Sequence, residues 1–77
     1  MRLRRTINAV TRTGEQSGYV AECLELPVVT QGATLGEVAA NLREAVELQL
    51  QGEDPAEWGL ADHPGLLVTF EVETSVA

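Results

Sequence analysis

The sequence contains no lysine, a single cysteine, one residue each of Trp, Tyr and Phe, and no long hydrophobic run. The lone Cys23 excludes an intramolecular disulfide and a cysteine-based structural zinc cluster, and it fits a reducing compartment, so the cytoplasm is the expected location. Met1 to Arg5 is basic, but no apolar segment follows it, and nothing elsewhere reaches the roughly 20 apolar residues of a membrane span. Neither export nor insertion is expected. Without lysine, five arginines face twelve carboxylates, for a net charge of -7. A field of that sign repels phosphate backbones and disfavours nucleic acid as a direct partner, whereas a basic protein is attracted. The scarcity of aromatics, 4% of the chain, removes the side chains that usually bury most area. A chain of 77 residues fits one domain, residues 1–77, and at this size only about 60% of the unfolded surface is buried. The core is expected to be thin, and self-association is one way to complete it.

What is present sets an element order. Leu3 to Thr13 mixes Ile7 and Val10 with Thr and Arg in partial alternation and predicts a first strand. Gly14 to Gly18 is a turn signal, so Tyr19 to Cys23 reads as the second strand of a hairpin. Pro27 interrupts the ladder, and Val28 to Gln31 forms a short third strand closed by Gly32. Thr34-Leu35-Gly36-Glu37 matches a capping box, in which the threonine side chain and the glutamate three residues on satisfy free helix amides reciprocally. The helix that follows carries Leu35, Val38, Leu42, Ala45, Val46 and Gln49 at three-and-four spacing. Glu37, Asn41, Glu44, Glu47 and Gln51 lie toward its other side, and Gly52 ends it. Glu53 to Pro64 reads as an irregular connection with a helical turn at Pro55. Leu66, Val68, Phe70 and Val72 then alternate with Leu67, Thr69, Glu71 and Glu73 as the last strand. The fold class is α+β in the order β-β-β-α-β: an antiparallel three-strand meander, one helix packed on the sheet, and a last strand parallel to the first through a right-handed crossover. Some of Arg2, Arg4 and Arg5 are then expected to face carboxylates of the last strand.

Three stretches carry a family resemblance: Gly18-Tyr19-Val20-Ala21 running into Glu25-Leu26-Pro27, Thr30-Gln31-Gly32-Ala33-Thr34, and Asn41-Leu42-Arg43-Glu44-Ala45. In this order they resemble the HicB antitoxin family, over about Gly18 to Leu50. The resemblance implies a partial ribonuclease-H-like core, no catalysis, no cofactor, and a partner of the HicA type, a small basic messenger-RNA interferase. The chain departs from the family in three ways. Leu24 stands where a proline is usual, Pro27-Val28 replaces a longer Pro-Gly-Cys corner, and the chain ends just after its last strand. The family usually has a DNA-binding segment there, so operator binding is not expected.

The expected partner contacts are Glu37, Glu44 and Glu47 on the helix, with Glu25, the Glu53-Asp54 pair and Trp58. They are chosen for charge and exposure, and Trp58 because tryptophan is frequent at interface hot spots; it fits equally well as a cover over the end of the core. Glu22, Glu25 and Glu37 as a magnesium cluster is the weaker reading, because the first strand offers Thr6, Asn8 and Thr11 but no aspartate. Cys23 is expected to be a buried sulfur, Tyr19 a packing residue, His63 a loop residue without a partner, and Arg12 a strand-to-strand charge partner rather than part of a nucleic-acid stripe. An oligomeric scaffold or regulatory module without a toxin, as a homodimer or tetramer, is the alternative function.

Overall fold

Ile7, Ala9 and Thr11 recur at every second position and are all buried, so their strand, β1 (Arg4–Thr13), turns one face to the core. The computed structural model describes residues 2–76; Met1 and Ala77, the ends of the expected domain, lie outside the described residues. The hairpin partner β2 (Tyr19–Cys23) buries Ala21 and Cys23 on the same face, and β3 (Val29–Gly32) completes the meander. Helix α1 (Leu35–Leu50) and a 3-10 turn (Pro55–Trp58) precede β4 (Leu60–Phe70). The four strands form one mixed sheet in the order β3-β2-β1-β4, with β1 antiparallel to β2, β2 antiparallel to β3, and β4 parallel to β1. No helix among the described residues is long and apolar enough to cross a membrane.

Thr34 is the N-cap of α1, where its hydroxyl accepts the Glu37 backbone N–H at 3.1 Å. Only this half of the capping box forms. Val38, Leu42 and Val46 are buried against the sheet, whereas Leu35, at the start of the same stripe, is 44% exposed. Gly52 takes a left-handed φ of 76° just beyond the last turn, where the Cβ of any other residue meets a steric penalty. Gly32 has a different necessity: a Cβ there would lie 2.9 Å from the Val38 backbone nitrogen. Its absence lets the first turn of α1 sit directly on β3. Asn41 is part of the same junction, donating from Nδ2 to the Gln31 carbonyl at 2.8 Å, and so faces the sheet margin rather than the far side of the helix.

The last strand differs most from expectation. It begins at Leu60 rather than Leu66 and ends at Phe70, so Glu71, Val72 and Glu73 lie outside it. Leu60 is fully buried and pairs with Arg4, and the Arg4 N–H donates to the Gly59 carbonyl at 2.9 Å. Thr6 then pairs with Gly65, so Ala61 to Pro64 bulge out of register opposite Arg5 alone. His63, with φ of 51°, is the positive-φ residue of that bulge. Burial of Leu60 fixes one end of the strand and the Leu66-Val68-Phe70 alternation the other, and the surplus residues between them loop out.

The helix packs chiefly over β3 and β2. The β4 side of the same face is left partly open, and the molecule measures 43 × 26 × 17 Å with a radius of gyration of 13.7 Å. A compact chain of this length would have about 11.5 Å.

Candidate functional site

At 100° per residue, Glu37, Glu44 and Glu47 fall within an arc of about 80°, roughly opposite the buried Val38, Leu42 and Val46. All three are exposed. Arg43 sits at the edge of this arc with Nε 3.7 Å from a Glu47 carboxylate oxygen, an exposed pair that contributes about 0–1 kcal/mol. Glu53 and Asp54 continue the acidic surface past the helix end, both exposed. Asp54 is also employed locally, since its Oδ1 accepts the Ala56 N–H at 3.0 Å and caps the 3-10 turn. Between the C-terminal half of α1 and the β4 bulge lies a groove of about 800 Å³, flanked by Glu44, Glu47, Leu48, Asp62, His63 and Pro64. Leu48 is 63% exposed there. Two of these six, Glu44 and Glu47, are among the contacts expected from the sequence; a bulge that places Asp62 and His63 beside the helix is a product of strand register, for which no local signal exists.

Glu25 is a different case. β2 ends at Cys23, and the Leu24 N–H closes the ladder onto the Asn8 carbonyl at 2.9 Å. The Asn8 N–H then has no strand opposite it, and the Glu25 carboxylate takes that place: Oε1 accepts the backbone N–H at 2.7 Å and Oε2 accepts Asn8 Nδ2 at 2.9 Å. Arg4 lies 3.6 Å from Oε2, and the Glu25 side chain is only 11% exposed. Burial by itself raises this carboxyl, but the Asn8 hydrogen bonds and the Arg4 guanidinium outweigh it and hold it below the ordinary glutamate range. Arg4 thus pairs with the corner after β2, not with a carboxylate of the last strand. Trp58 is half-buried against the end of the core and lines a small groove of about 370 Å³ with Arg4, Asn8, Leu24 and Glu25. The expected contact residues therefore divide into two places: the helix acids with Glu53 and Asp54, and the Glu25–Trp58 corner.

Glu22, Glu25 and Glu37 do not converge. Glu22 faces Arg12 at 3.8 Å across β1 and β2, Glu25 is held by Asn8, and Glu37 stands at the first turn of α1. Among the described residues, no group of three or more His, Cys, Asp or Glu is placed to hold a metal ion. Cys23 is 5% exposed, and burial, reinforced by the Glu25 charge, pushes its thiol up, away from a reactive thiolate. Tyr19 packs edge-to-face on Phe70, ring centroids 5.5 Å apart at 78°, across β1. What the arrangement offers chemically is a surface of exposed carboxylates, three of them on one side of a helix, suited to a cationic partner. No protein-family model, curated protein or solved structure gives a match to this chain.

Proposed function

We propose that this protein is an antitoxin-like inhibitor that binds and masks a small basic messenger-RNA interferase of the HicA type, using its acidic helix side as the docking face. The observation that carries this reading is the row Glu37, Glu44 and Glu47, exposed and directed away from the core on a helix whose opposite side is locked to the sheet. With a net charge of -7 on the chain, such a face accelerates encounter with a cationic surface and repels RNA from the complex once formed. The resemblance to the HicB family over Gly18 to Leu50 supplies the class of partner.

Coexpression with the small basic reading frame nearest its gene, followed by affinity purification of the pair, tests the proposal. Stable co-purification that weakens steeply with added salt supports it; failure to associate at low salt removes it. The oligomeric scaffold without a toxin is the second reading, favoured by the absence of charged residues from Pro64 to Phe70 on the edge strand β4.

A further inference from the structure

The free edge of β4 joins three properties that together define a partner. The Glu71 N–H donates to the Thr11 carbonyl at 2.8 Å, toward β1. Backbone groups of a strand alternate sides, so the N–H and C=O groups of Leu66, Val68 and Phe70 point to the open edge. The side chains of these same residues lie on the helix side of the sheet, because they pair with Ile7, Ala9 and Thr11. The helix lies over β2 and β3 instead, leaving Val68 37% and Phe70 41% exposed. Finally, Pro64 to Phe70 contains no charged residue in a chain of net charge -7. Natural sheet edges are normally guarded by charges, and this one is not.

We infer that β4 pairs antiparallel with β4 of a second copy about a two-fold axis through Val68, joining two sheets into one of eight strands. Val68 then faces Val68 of the other copy, Leu66 faces Phe70, Leu67 faces Thr69 and Gly65 faces Glu71. Every pair on the helix side is apolar and no like charges meet. Among the possible centres, Val68 is the one that pairs Leu66, Val68 and Phe70 among themselves, forming about six backbone hydrogen bonds. Centring on Glu71 would set two carboxylates against each other. A basic protein has nothing to recognise on this strip, whereas a second copy presents the same strip in complementary order. The bulge at Ala61 to Pro64 ends the pairing on one side, with Pro64 lacking a donor.

Pairing of this edge requires no toxin, so the purified chain alone suffices to test it. Sedimentation equilibrium is expected to give twice the chain mass of 8.3 kDa. Val68→Lys, which opposes two ammonium groups at the axis, is expected to halve that mass, and Val29→Lys on the other edge strand is expected to leave it unchanged. If Val68→Lys does not fold, Val68→Cys decides. Opposed residues of an antiparallel pair lie about 5.5 Å apart at Cα, within disulfide reach, so oxidation is expected to crosslink it. Val72→Cys, roughly 26 Å from its copy on an extended chain, is expected to stay uncrosslinked. A monomeric wild type, a dimer indifferent to Val68→Lys, or failure of Val68→Cys to crosslink overturns the inference.

Discussion

Replacing Thr11 by valine is expected to stabilise this protein. Thr11 is fully buried in the middle of the sheet, with Ala21 and Phe70 as its strand neighbours, and its hydroxyl has no hydrogen-bond partner among the described residues. A buried hydroxyl without a partner costs about 1–3 kcal/mol. Valine keeps the β-branched shape and its restricted χ1, so neither rotamer entropy nor strand preference opposes the exchange. The methyl that replaces the hydroxyl adds up to about 0.8 kcal/mol of apolar burial. Allowing for imperfect fit, we expect a net gain of roughly 1–2 kcal/mol. For a domain of this size each kcal/mol moves the melting temperature by about 4–8 °C, so a rise of roughly 4–16 °C is expected. The assay is thermal and urea unfolding followed by circular dichroism at one fixed protein concentration, because association of copies would make stability concentration-dependent. An unchanged urea slope with a higher midpoint identifies a native-state effect. A neutral or destabilised valine variant would refute the reasoning, since it would mean that the hydroxyl is satisfied in solution. Thr11→Ser, which keeps the hydroxyl and loses the methyl, is expected to move stability the opposite way.

Other expectations follow from the same packing and charge. Leu42→Ala empties the centre of the helix–sheet contact and is expected to cost about 2–5 kcal/mol, read as a lower urea midpoint. Glu25 has a depressed carboxyl value in the folded state, so its contribution is present above the unfolded value of about 4.3 and is lost as pH falls through the lower folded value. Glu25→Gln is therefore expected to lower stability near neutral pH and to flatten its decline below about pH 4.3; an unaltered acid limb would contradict the Asn8 and Arg4 contacts. Changing Glu37, Glu44 and Glu47 together to glutamine is expected to change stability by no more than about 1 kcal/mol, or roughly 8 °C in melting temperature, since exposed charges contribute little, while slowing association with a basic toxin at least about tenfold at low salt. Stopped-flow mixing measures that rate.

Much of the architecture was legible because its signals are local. Thr34 and the Val38, Leu42, Val46 spacing mark the helix within a single window of sequence, and the alternation of Leu66, Val68 and Phe70 marks the last strand in the same way. The parallel placement of that strand followed from connection geometry. The features that escaped depend on residues far apart in the chain. Glu25, a charged residue two positions before a proline, reads as exposed; it turns inward because Asn8, 17 residues earlier, presents two donors where β2 has already ended. Ala61 to Gly65 carries proline, glycine and aspartate and reads as loop; it belongs to β4 because Leu60 plugs the end of the core beside Arg4. Asn41 sits on what looks like the polar side of the helix, yet it reaches the Gln31 carbonyl because Gly32 brings the two backbones together. The exposed helix acids were legible from periodicity, and their company with Asp62 and His63 was not, because it depends on the register of the bulge.

The most direct test of the central claim is an RNA-cleavage assay with the purified neighbouring basic protein, run with and without equimolar amounts of this chain. Inhibitory masking predicts that cleavage falls to background as the ratio reaches one to one and returns as salt is raised, with the triple glutamine variant inhibiting less well than the wild type. Cleavage that proceeds at the same rate in the presence of excess wild-type chain, at low salt, would contradict it.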